Sequence, residues 1–175
     1  MRTVRTPFTR RDWNLLPEGF PAQLIAGWLV REPAPTYGHQ RLSGDLRDLL
    51  VAVVDKHRVA CAPIDVGIDN LNVFQPDIVV LSVQPPDEVH DVGIPLLAIE
   101  ILSPSTARRD RNVKRARLLR AGTAEVWLVD PATRTIEVHD AQGCRKAEGP
   151  TTLHSLALPG FSVTPATLFG PSRPR

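Results

Sequence analysis

The apolar segment Leu96-Leu-Ala-Ile-Glu-Ile-Leu102 carries a single carboxylate, Glu100, near its middle. Strands of that composition are usually buried on both faces. An isolated buried carboxylate is unfavourable by several kcal/mol unless it is paired, protonated or coordinating a metal. A second acid, Asp77, follows Pro76 and opens the run Ile78-Val-Val-Leu81. If the intervening loop joins two antiparallel strands with Leu81 opposite Leu96, the same register sets Asp77 opposite Glu100. Directly opposed residues share a face, with Cβ atoms about 5 Å apart. Two carboxylates at that spacing need a shared proton or a cation between them. Both are hard oxygen donors suited to Mg2+ or Mn2+. A slip of one residue would part them, and a salt bridge from Glu100 to an arginine of the next helix is the competing reading.

That next helix is expected over Ala107–Ala121, after the turn Ser103-Pro-Ser-Thr106 and before Gly122. Ala107, Asp110, Lys114, Leu118 and Ala121 fall on one stripe of its wheel, so Lys114 has apolar neighbours and leans toward the Glu100 strand. Val113, Ala116 and Leu119 form a rival stripe, and an exposed Asp110–Lys114 pair is the rival role for the lysine. The helix also carries Arg108, Arg109, Arg111, Arg115, Arg117 and Arg120. Such a density repels itself unless it meets anions, and phosphate backbones supply them; a solvated basic face is the alternative. No aromatic residue interleaves with these cations, so base stacking along the helix has no support.

The elements that would position these groups follow from local pattern. Thr9 and Asp12 resemble a capping pair opening a short helix to about Leu16. Gln23–Arg31 reads as a hairpin pivoting at Ala26-Gly27. Leu42, Leu46, Leu49, Leu50 and Val53 mark an amphipathic helix from Thr36 to His57. His39, on its first turns, could approach a substrate, or else serve a cap or the surface. Val59–Ile64, Val73–Leu81, Leu96–Leu102, Glu125–Val129, Thr135–His139 and Cys144–Ala147 read as strands. The tail Leu156–Phe169, interrupted by Pro159, Gly160 and Pro165, is expected to pack irregularly. The order predicts an α/β or α+β domain, a mixed sheet flanked by helices.

Composition closes off other classes. The chain has 175 residues with a formal charge of +2, and its length suits one domain. The longest purely apolar run, Leu49–Val54, is far short of a membrane span. Met1–Arg10 lacks the apolar stretch of a secretory signal, so a cytoplasmic location is expected. Cys61 and Cys144 have no metal-ligand spacing and read as packing residues. Asp87, Glu88 and Asp91 read as a solvated acidic loop. No Gly-rich phosphate loop, HExxH or GxSxG is present.

Pro76-Asp77, Glu100 in an apolar strand and a helical lysine together resemble the PD-(D/E)xK nuclease superfamily. More narrowly, VFQPDIVV (73–80), LLAIEILSPST (96–106), Asp110 with Lys114 and AGTAEVWLVDP (121–131) resemble the Uma-two-type family of restriction-endonuclease-like proteins. QLIAGWL (23–29) and PAPTYGHQ (33–40) extend the likeness to about residues 8–169. The resemblance implies a restriction-endonuclease-like core and a Mg2+- or Mn2+-dependent endonuclease acting on nucleic acid, with DNA expected. It makes Asp77 and Glu100 metal ligands and Lys114 the catalytic lysine. Arg108, Arg109, Arg111 and Arg115 are the expected backbone-binding cations, and Gln23, His39, Ser103 and Asp110 are auxiliary candidates. A homodimer would suit cleavage of two strands. Departures from the family are Gln23 and Ala26, where acids are usual, Leu118 in place of an aromatic, and Leu102 where the superfamily lysine stands. The missing acids support a second reading, a catalytically impaired binding module for nucleic acid or a partner.

Overall fold

The computed structural model describes residues 6–17 and 19–170. Its centre is a six-stranded mixed sheet in the order β10-β9-β8-β7-β6-β3. These strands are β3 (Val59–Cys61), β6 (Ile78–Val80), β7 (Leu97–Ile101), β8 (Glu125–Asp130), β9 (Thr135–Asp140) and β10 (Gly143–Glu148). Only β7 and β8 run parallel, because a helical crossover joins them; the other pairs are antiparallel. Ile78 faces Ile99, Val79 faces Ala98 and Val80 faces Leu97, the register expected from the two apolar runs.

The expected strand over 73–81 is instead two strands in two sheets. β5 (Asn72–Phe74) belongs to a smaller antiparallel sheet in the order β2-β1-β5-β4, with β1 (Ala22–Ile25), β2 (Trp28–Arg31) and β4 (Val66–Asp69). The chain then passes through Gln75-Pro76-Asp77 into β6. Pro76 has no N–H for a ladder, so the break falls there. β1 and β2 form the expected hairpin: Ala26 (φ 51°) and Gly27 (φ 79°) are both left-handed, as a two-residue type I′ loop requires.

α1 (Arg10–Trp13) starts at a Thr9–Asp12 capping box. α2 (Tyr37–Val51), capped by the Thr36 hydroxyl, ends before the expected His57, and Lys56–Arg58 is a short 3-10 turn. Leu42, Leu46 and Leu50 of α2 pack on Ile78, Val80, Leu97, Ile99 and Ile101 to form the main core. The tail joins that core in an ordered way. A hairpin of β11 (Leu153–His154) and β12 (Ser162–Val163) precedes α5 (Pro165–Phe169). The other sheet face packs Val79, Ala98, Leu102, Val126 and Leu128 against Leu118. Leu118 lies in the crossover, formed by α3 (Ala107–Arg109), a π turn (Asp110–Lys114) and α4 (Arg115–Ala121). Asp110, Lys114 and Leu118 are its buried residues, so the first of the two candidate stripes faces the sheet.

Glu125, which opens β8, ties the tail to the sheet. Its buried carboxylate accepts from Trp127 Nε1 (3.0 Å), Ser155 Oγ (2.6 Å), the Leu156 amide (2.7 Å) and Arg145 (3.2 Å). Glu125→Ala strands these donors. It is expected to lower unfolding free energy by about 3–5 kcal/mol in urea titration, and a loss under about 1 kcal/mol would show that the tail does not depend on it.

Candidate active site

Asp77 stands where the chain enters β6, one residue before the ladder begins. Its Oδ2 accepts the Ile101 amide at 2.6 Å, so the side chain extends the β6–β7 pairing that Pro76 interrupts. The same oxygen lies 3.3 Å from His39 Nε2. His39 therefore turns its ring to Asp77, while the cap of α2 involves only its backbone N–H. The hydrogen bond to Asp77 raises the His39 pKa, outweighing the opposing effect of burial.

Glu100 and Lys114 are both 2% exposed, with Glu100 Oε1 at 2.6 Å from Lys114 Nζ. Asp110 Oδ1 lies 3.6 Å from the same ammonium. Glu100 is thus paired with a lysine rather than an arginine, and the Asp110–Lys114 pair is buried rather than solvated. The π turn, closed by the Arg115 amide on the Asp110 carbonyl, carries both residues. Such widened turns often occur at functional sites. Burial pushes the Glu100 carboxyl well above the usual range; Lys114 opposes this, while Asp110 and Asp77 reinforce it. Burial works against the Lys114 charge, but Glu100, Asp110 and Asp77 together raise its pKa. Both shifts express one crowding: a single ammonium faces three acids. The surrounding acids favour the Lys114 charge, whereas burial disfavours that of Glu100.

These groups open on a cavity of about 830 Å3. Gln23, His39, Asp77, Glu100, Ser103, Arg109, Asp110 and Lys114 all line it. Arg108, Arg111 and Arg115 do not. Arg111 bridges Asp130 (2.9 Å) and Glu137 (2.6 Å), and Arg115 contacts His139 Nδ1 at 2.9 Å. Arg117 lies 3.6 Å from Asp69, and Arg109 pairs with Glu32. Arg109, Arg111, Lys114, Arg115 and Arg117 are therefore divided among several partners around the helix, while Arg108 and Arg120 are exposed.

The Uma2 family model, described as "Putative restriction endonuclease", matches residues 10–166. The chain belongs to the Uma2 family. No curated protein matches it. A solved structure described as "a putative nuclease belonging to DUF820", from Anabaena variabilis ATCC 29413, matches with a TM-score of 0.79 and 24% identity. The match covers 93% of this chain and 98% of that one, and at that identity the likeness establishes the fold.

In this Uma2 protein Gln23, where the sequence reading expects an acid, is held at both ends of its amide. Its Nε2 donates to Glu32 Oε1 (3.1 Å) and its Oε1 accepts from the Gln75 amide (2.9 Å). Glu32 gave no signal in the sequence, because its partners Gln23 and Arg109 come from other elements. Asp91, expected to be solvated, instead pairs with Arg10 and accepts the Gly67 amide. Cys61 is half-buried against the core, but Cys144 is exposed and so is no packing residue. Glu137, His139 and Cys144 hold ligand atoms within 4.8 Å of one another. Arg115 donates to His139 Nδ1, so the ring proton sits on Nε2 toward Glu137. That arrangement leaves the ring no lone pair for a metal.

Glu100 and Lys114 should respond oppositely to substitution. Lys114→Met removes the only cation among the buried acids and is expected to cost about 3–5 kcal/mol. Burial raises the Glu100 pKa, so its stabilising contribution is full below the unfolded pKa. It is lost as pH rises through the raised folded value. Glu100→Gln is expected to hold or raise Tm at pH 7 and to flatten that part of the pH profile. A drop in Tm matching that of Lys114→Met would contradict this charge balance.

Proposed function

We propose that the protein is a Mg2+- or Mn2+-dependent nuclease that hydrolyses phosphodiester bonds, with DNA as its substrate. One observation carries the reading: the buried Glu100 and Asp110 carboxylates share the single Lys114 ammonium at the cavity, Glu100 Oε1 at 2.6 Å and Asp110 Oδ1 at 3.6 Å with no hydrogen bond of its own. Asp77 lines the same cavity, so three carboxylates stand there with one buried ammonium. Oxygen donors of this kind suit a hard divalent ion; in this structure they are not gathered around one point, the group with ligand atoms within 4.8 Å of one another among the described residues being Glu137, His139 and Cys144.

Asp77 and Glu100 would hold the ion. Bound there, it supplies Lewis-acid polarisation of a phosphoryl oxygen and a lowered pKa for an attacking water. The remaining work falls to the chain itself. The Ile101 amide and His39 fix the Asp77 carboxylate in orientation. Glu100 must release its proton to act as a ligand, so ion binding strengthens as pH rises. Lys114 keeps its proton and meets the charge developing on the phosphate. Arg109, held by Glu32 at the cavity wall, is the helix arginine positioned to contact a bound phosphate. Family membership supports the same chemistry.

Gln23 favours a second reading, a binding module without catalysis, since its neutral amide replaces a family acid and is already satisfied. The two readings separate in one assay. Purified protein with Mg2+ or Mn2+ should cleave DNA, and chelation should stop it. Glu100→Gln should reduce the rate at least about 100-fold. Wild-type protein that binds metal and DNA yet cleaves neither DNA nor RNA would instead establish the binding module, and recovery of cleavage in Gln23→Glu would identify the cause.

A further inference from the structure

We infer that Arg134 and Phe169 form a nucleobase-stacking subsite in the wall of this cavity, so that it takes an unpaired strand rather than a duplex. The inference rests on the nuclease reading above. Arg134 and Phe169 both line the cavity. The Arg134 guanidinium lies over the Phe169 ring, 5.5 Å from its centroid, and donates to the Gly170 carbonyl. A planar cation held against an aromatic ring is a surface on which unpaired bases stack.

Arg134 also has unusual backbone geometry. Its φ of 56° is left-handed, a conformation that glycine or asparagine adopts more readily. An arginine there forgoes that ease, and what it adds is the planar group on Phe169. The rest of the site fits an unpaired strand. Glu100 and Lys114 lie 2% exposed at the cavity, whose volume of about 830 Å3 is within the range of small-ligand pockets. Duplex-binding proteins commonly present a broad, strongly positive surface. Here Arg109, Arg111, Lys114, Arg115 and Arg117 of the crossover helix are each engaged by an acid or a histidine.

Fluorescence anisotropy in EDTA, where no cleavage occurs, tests the inference. The probes are a labelled 12-nucleotide single strand (as DNA and as RNA), the matching duplex, and an abasic strand of equal length. Wild-type protein should bind the single strand at least about ten-fold tighter than the duplex. Arg134→Lys keeps the charge but loses the planar face, and should weaken single-strand binding about five-fold or more. Arg134→Gly should weaken it at least as much with Tm unchanged or raised, which separates binding from folding. Phe169→Leu should act in the same direction. Neither Arg134 variant should change affinity for the abasic strand by more than the loss of one charge explains, with Lys matching wild type. Equal affinity for single strand and duplex, or wild-type single-strand affinity in Arg134→Lys, would overturn the subsite. Absence of cleavage in Mn2+ with the single-strand ranking intact would count against the nuclease reading alone and uphold the subsite.

Discussion

The Lys114 ammonium, buried with Glu100 and Asp110 and within the field of Asp77, constrains everything around it. Charges withdrawn from water are tolerated only when closely compensated. That requirement explains why the β6–β7 register and the π turn must be held together. The first places Asp77 beside the Glu100 strand; the second carries Asp110 and Lys114 to the same place. Apolar packing of Leu118 against Val126 and Leu128 anchors the helix on the sheet. The result is a scaffold that holds an excess of negative charge at the edge of a cavity.

Parts of this arrangement were legible because they obey short periodicities. Strand alternation has a period of two, so the apolar runs ending at Leu81 and beginning at Leu96 were enough to align Ile78 with Ile99, the pair next to Asp77 and Glu100. The helical wheel likewise held Asp110, Lys114 and Leu118 on one stripe, although it could not choose between that stripe and Val113-Ala116-Leu119. The choice depends on a buried ion pair whose acid lies in another element.

Other parts depend on contacts that no local pattern encodes. The run 73–81 is apolar at both ends and reads as one strand, but Pro76 breaks the ladder and the chain changes sheets there. β4 was missed because it is short, contains Gly67 and ends in Asp69. The acids that pair with the crossover arginines, Glu32, Asp69, Asp130 and Glu137, lie far away in sequence, so the local pattern shows the charge of the helix and not its partners. His39 could be placed on the first turns of α2, yet its approach to Asp77 depends on how α2 packs across the sheet. The left-handed φ of Arg134 has no signature in the sequence, because arginine seldom adopts it.

Anomalous diffraction from Mn2+-soaked crystals, collected near the manganese edge, tests most directly whether the acids around Lys114 form a divalent-cation site. A strong peak in contact with both the Asp77 and Glu100 carboxylates is expected, absent from crystals of Glu100→Gln. A peak only at Glu137, His139 and Cys144, or none at all in a fully soaked crystal, would contradict it.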